Sequence, residues 1–98
     1  MDSKVPDEKA PASDSLRASF AEAQTRALGL SQKPGPGDLL ALYALYKQAT
    51  VGDVSGGRPG MLDIKDRAKF DAWTHERGTS ATAAMQKYIA LVDRLASS

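Results

Sequence analysis

Apolar side chains recur along this chain at helical spacing. Leu16, Phe20, Ala23, Ala27 and Leu30 fall at i, i+4, i+7, i+11 and i+14, one stripe of a 3.6-residue repeat, with Arg17, Glu22 and Gln24 off it. Ser13-Asp14-Ser15 offers capping side chains and Gly29 a stop, which predicts a first helix over about 16–30. Lys33-Pro34-Gly35-Pro36-Gly37-Asp38 breaks the pattern. Pro36 suits a first helical turn, and Asp38 the positive end of a helix dipole. Leu39, Leu42, Tyr43, Tyr46 and Ala49 then carry a second helix over about 36–51, stopped by Gly52-Asp53. The stretch from Gly52 to Leu62 is a loop with a turn at Arg58-Pro59-Gly60.

Asp63 is placed to cap a third helix, with Asp66 in its first turn, Ala68, Ala72 and Trp73 as its inner stripe and Gly78 as its end. Thr79-Ser80 caps a fourth, whose stripe is Ala81, Met85, Tyr88, Val92 and Leu95, with Lys87 and Arg94 outside it. No segment alternates apolar and polar positions with β-branched residues, so no strand is predicted. There is no internal repeat. Four short helices in one small domain make an all-α bundle. Residues 1–14 carry charges, two prolines and almost no large apolar side chain, which predicts a flexible tail ahead of a domain over 15–98.

Length and composition narrow the functional classes. The chain has 98 residues, room for one domain and a modest core. The absence of Cys excludes disulfides, thiolate metal sites and cysteine nucleophiles, and favours a reducing compartment such as the cytoplasm. Met1 to Glu8 has no apolar core of a secretory signal, and no apolar run approaches the ~20 residues of a membrane span. The net charge of +1 divides into −2 on residues 1–14 and hence +3 on the rest. That suits a small anionic ligand and argues against a nucleic-acid partner.

Few residues offer catalysis. His75 is the only histidine and sits alone on the third helix, where packing or solvent is its ordinary role. No grouping has metal-ligand spacing. Gly52 to Arg58 looks loosely like a phosphate loop but lacks the Gly-Lys-Ser/Thr ending and a preceding strand, so it reads as a connection. The unusual stretch is Tyr43-Ala44-Leu45-Tyr46-Lys47. Positions 43, 46 and 47 share a helix face, and Lys69 and Tyr88 are placed to join them from the third and fourth helices. Aromatic planes stack bases, hydroxyls donate to phosphate and ammonium groups neutralise it. On spacing alone, the same residues read more readily as half-buried core phenols with wet hydroxyls and solvated lysines.

The segment Tyr43-Ala44-Leu45-Tyr46-Lys47-Gln48-Ala49-Thr50-Val51-Gly52-Asp53 resembles the signature of the acyl-CoA-binding protein family. So do Arg58-Pro59-Gly60-Met61-Leu62-Asp63, Lys65, Ala68 to Trp73, Gly78-Thr79-Ser80 and Ala84 to Ile89, in an ungapped run from about Phe20 to the C-terminus. The resemblance implies a four-helix up-down-down-up bundle, a monomer without cofactor or catalysis that binds, carries and pools medium- to long-chain acyl-CoA. It implies that Tyr46 stacks on adenine, that Lys47, Lys69 and the Tyr43 hydroxyl hold the ribose 3′-phosphate, and that Tyr88 contacts the nucleotide. Phe20, Gln24, Leu40 and Phe70 would lie near the pantetheine and acyl chain.

The chain departs from the family pattern in three ways. Leu28 stands where a basic residue is common, and Arg26 falls on another face. Phe70 stands where tryptophan is frequent. Pro36 and Gly37 replace better helix formers. The alternatives are a helical module that docks a protein partner, and an enzyme in which such a domain is fused to an enoyl-CoA isomerase, for which 98 residues leave no room. Transient contacts with acyl-CoA donor and acceptor enzymes fit the carrier reading.

Overall fold

A computed structural model describes residues 12–97 and, within them, four helices and no strand: α1 (Asp14–Leu28), α2 (Pro36–Thr50), α3 (Ile64–His75) and α4 (Ala81–Ser97). Residues 1–11 of the expected tail lie outside the described residues. Its last three residues are ordered structure: Ala12 is buried, Ser13 is the N-cap and Asp14 begins α1, two residues ahead of the expected start. The cap explains the shift, because Ser13 Oγ accepts a hydrogen bond from the Leu16 N–H at 3.1 Å. At the other end α1 stops at Leu28, so Leu30 falls beyond the stripe to which its spacing assigned it.

Helix α4 packs against both α1 and α2, and α2 packs against α3 as well; the backbone of α1 lies along α4. The main core follows from this. Phe20 and Ala23 of α1, Leu42, Leu45 and Ala49 of α2, and Ala84, Met85, Tyr88 and Val92 of α4 close together. A smaller cluster under α3 joins Ala44, Val54 and Trp73, with Phe70 and Ala72 against it. Because α2 contributes to both clusters, Leu45 to the main core and Ala44 to the smaller one, its buried face is wide, and it also takes in Gln48. Leu39 and Tyr46, which belong to the sequence stripe of α2, are exposed instead, and so is Ala81 at the start of α4. The first turn of α2 does form with Pro36 at its head, where the missing N–H costs no helical bond.

A polar knot fastens the loop ends. Asp53 Oδ1 accepts from the Gly78 backbone N–H at 2.8 Å and from Gln48 Nε2 at 2.8 Å. Gln48 Nε2 also donates to the Thr79 carbonyl at 2.9 Å. Gln48 is only 1% exposed, and its Oε1 has no hydrogen-bond partner. Gly52 and Gly78 border the knot with φ of +102° and +89°, a backbone region that a Cβ disfavours. The bond from Gly78, then that from Gln48, hold the Asp53 carboxyl below its ordinary pKa, with the nearby Arg77 charge adding to them against desolvation. Ser80 caps α4 as expected, accepting from the Ala83 N–H at 3.0 Å. Asp63 stands at the N-cap of α3 without a side-chain capping bond.

Candidate functional site: an aromatic and cationic face on helix α2

Tyr46 projects from α2 with 41% of its surface exposed. Its ring stacks on Phe20 of α1 with centroids 6.3 Å apart and planes at 28°. Phe20 meets Tyr88 of α4 edge-on at 5.1 Å and 83°. Both geometries are favourable for ring quadrupoles. Three helices thus meet through three rings, with Phe20 and Tyr88 buried and Tyr46 open to solvent. Burial, and after it the neighbouring Tyr46, pushes the Tyr88 hydroxyl above its ordinary pKa.

The lysines lie across the α2–α3 seam. Lys69 of α3 holds its ammonium 5.4 Å from the ring centroid of Tyr43 on α2. Lys47 of α2 holds its own 4.9 Å from the ring of Trp73 on α3. Each helix therefore supplies one cation to an aromatic face of the other, an arrangement attractive through the ring quadrupole. Tyr43 and Lys47 are half-buried, and Lys69 is exposed.

The remaining candidates are more loosely attached. Gln24 is half-buried one turn after Phe20, and its amide donates to the Phe20 carbonyl at 3.4 Å. Leu40 is half-buried one turn before Tyr43. Phe70 turns into the small core beside Trp73, roughly 100° around α3 from Lys69. The structure thus groups Tyr46 with Tyr88 and with Phe20, which the resemblance added, and sets Tyr43, Lys47 and Lys69 across the α2–α3 seam. Spacing misses Trp73, read there as a core residue only, whose ring also faces an ammonium. A buried aromatic on the helix opposite Lys47 is the signal that was available.

Positions flanking this face clarify the departure at Leu28. Leu28 is 90% exposed at the last position of α1. Arg26 is engaged elsewhere, in an ion pair with Asp93 of α4. Leu39, Met61, Leu62 and Ile64 leave apolar surface open at the start of α2 and the entry to α3. The site is a face, not a cavity. A depression of about 470 Å³ lies between the end of α2 and the start of α4, lined by Gln48, Thr50, Asp53, Thr79 and their neighbours, and none of the predicted contacts borders it. No group of three or more His, Cys, Asp or Glu among the described residues is placed to hold a metal ion. No helix among them is long and apolar enough to cross a membrane.

Comparison with known proteins shows the family. Residues 17–92 match the family described as acyl CoA binding protein. The chain is similar to the acyl-CoA-binding protein of Saccharomyces cerevisiae, 53% identical over 66 residues that cover 67% of this chain and 76% of that one. It is also similar to the acyl-CoA-binding protein of Brassica napus, 48% identical over 80 residues, with coverage of 82% and 87%. Among solved structures, the crystal structure of Oryza sativa acyl-CoA-binding protein 2 superposes with a TM-score of 0.78 at 46% identity, covering 82% of this chain and 89% of that one. The run of residues from Phe20 onward, the four helices and these matches agree, and the chain belongs to the acyl-CoA-binding protein family.

Proposed function

We propose that this protein binds acyl-CoA thioesters reversibly on the face of α2, as a non-catalytic carrier and pool former. The observation that carries the reading is the grouping of an exposed phenol backed by Phe20 with two ammonium groups held across α2 and α3. The ligand is divided the same way. Its head is a polyanion bearing an aromatic base, and its tail is an alkyl chain. Tyr46 offers a plane to the adenine. Lys47, Lys69 and the Tyr43 hydroxyl serve the 3′-phosphate, and Tyr88 stands behind them. Phe20, Gln24, Leu40 and Phe70 border the path of the pantetheine and the acyl chain.

The binding energy has two sources. Each methylene removed from water contributes roughly 0.8 kcal/mol, so ten contribute up to about 8 kcal/mol before ordering costs. Charged and stacking contacts at the head then discriminate CoA esters from free fatty acids. His75, the sole histidine, is exposed, and the reading assigns no catalytic residue. A monomer in the cytoplasm that meets donor and acceptor enzymes transiently completes the carrier reading.

Calorimetry with palmitoyl-CoA, free CoA and free palmitate tests the proposal. Nanomolar-range binding of the ester is expected, with far weaker binding of CoA and almost none of palmitate, because either half alone forfeits most contacts. Comparable affinity for palmitate would make the protein a general lipid carrier.

A further inference from the structure

We propose that Trp73 is a positioning residue that seats the Lys47 ammonium, and thereby fixes where the site presents positive charge to the phosphate of its ligand. The inference rests on the acyl-CoA reading above and adds a residue to it.

The contacts around Trp73 form a closed circuit. Lys47 Nζ stands 4.9 Å from the Trp73 ring centroid. The indole N–H donates to the Gly52 carbonyl at 2.8 Å. The Gly52 N–H in turn donates to the Lys47 carbonyl at 3.2 Å, beside the bond from Val51 at 2.7 Å. The ring beneath the side chain of Lys47 is therefore anchored to the residue that terminates the helix turn of Lys47. Gly52 makes the circuit with φ of +102°, which a side chain would strain. Trp73 itself is buried between Ala44 and Val54 and has little freedom to move.

This arrangement addresses a weakness of lysine as a phosphate ligand. Its ammonium is a point charge on a flexible stem, and holding it in one place costs rotamer freedom. A fixed aromatic face lowers that cost before ligand arrives, without neutralising the charge as a carboxylate would. Lys69 is the internal contrast: it is exposed and lies farther from its ring, on Tyr43. Lys47 is thus the preset cation of the pair, and Lys69 the adjustable one.

The test compares palmitoyl-CoA with palmitoyl-dephospho-CoA, which lacks the 3′-phosphate. In Trp73→Leu, palmitoyl-CoA affinity should fall about tenfold and that of the dephospho analogue less than threefold, the span expected for loss of a partly sheltered cation–π seat. Trp73→Phe keeps a ring but loses the bond to Gly52, so its discrimination should fall in between. A residue serving only the fold would weaken both ligands equally, and that result in either variant overturns the proposal.

Trp73 is the sole tryptophan, so its emission supplies a second readout that needs no substitution there. The two ligands should shift it differently in the parent protein, and that difference should shrink in Lys47→Met. An undiminished difference in Lys47→Met overturns the proposal even if Trp73→Leu fails to fold. Failure of the parent protein to bind either ligand would overturn the acyl-CoA reading, and this inference with it; binding without the predicted discrimination would overturn the inference alone.

Discussion

Gln48→Glu inverts the polar knot at a single atom. Gln48 Nε2 donates to both Asp53 Oδ1 and the Thr79 carbonyl, and the side chain is almost wholly buried. An ionised carboxylate there donates to neither and faces the Asp53 carboxylate across a distance of about one hydrogen bond. Two lost bonds cost about 1 kcal/mol each, and a buried charge without a partner brings the expected total to about 3–5 kcal/mol at neutral pH. The sign of the pH dependence follows from the same geometry. Burial and Asp53 raise the pKa of the new carboxyl above its unfolded value, so the folded state prefers its neutral form. The charge penalty is therefore absent below the ordinary carboxylate range and grows as pH rises toward the folded pKa.

Urea unfolding followed by far-UV circular dichroism, at about pH 4.5 and about pH 7.5, measures the difference from the parent protein. Gln48→Met is the control. It removes the donors without adding charge, and should cost about 1–2 kcal/mol at both pH values. A cost of Gln48→Glu below about 1 kcal/mol, or one that does not change with pH, would refute the assigned orientation of the amide and the knot built on it.

Three further outcomes are expected. Leu28→Lys should tighten acyl-CoA binding by about 0.5–1 kcal/mol, as for a partly exposed pair, and steepen its salt dependence; Leu28 is open to solvent, so little packing is lost, and unchanged affinity would show that no anion comes near. The parent protein should bind acyl-dephospho-CoA at least about 100-fold more weakly than acyl-CoA, while Lys47→Ala/Lys69→Ala binds both almost equally, a cycle read by calorimetry in which general destabilisation cancels. The lowered pKa of Asp53 stabilises the fold above the ordinary aspartate range, and that contribution is lost as pH falls through the folded value; Asp53→Asn should therefore flatten the acid limb of stability against pH, as followed by urea midpoints.

Much of this protein can be read from residue spacing, for reasons that differ between its helices. α4 meets its neighbours along one stripe, so Met85, Tyr88 and Val92 announce themselves as core. α2 meets neighbours on two sides, and a single stripe misplaces Leu39 and Tyr46 while passing over Ala44 and Gln48. Tyr43, Tyr46 and Lys47 were legible because one helix carries them at i, i+3 and i+4. The seat of Lys47 on Trp73 was not, because it depends on how α3 lies against α2. The bidentate bond of Arg58 to Asp71, at 2.9 and 2.7 Å, is likewise a product of where the loop folds back on α3.

The dependence of α1 on α4 has a consequence for the order of assembly. During synthesis α1 leaves the ribosome first, yet the helix against which it packs comes last, more than fifty residues later. Until then α1 is a 15-residue amphipathic segment without its main packing partner, too short to hold its helix well in water. Before Ala84, Met85, Tyr88 and Val92 arrive, Phe20 can meet the Tyr46 ring of α2, but the α4 side of the main core is missing. The main core therefore closes by a long-range contact, and the entropy of that loop is met late. A nascent chain arrested within α4 should remain sensitive to protease along α1, with protection appearing only once Val92 has emerged.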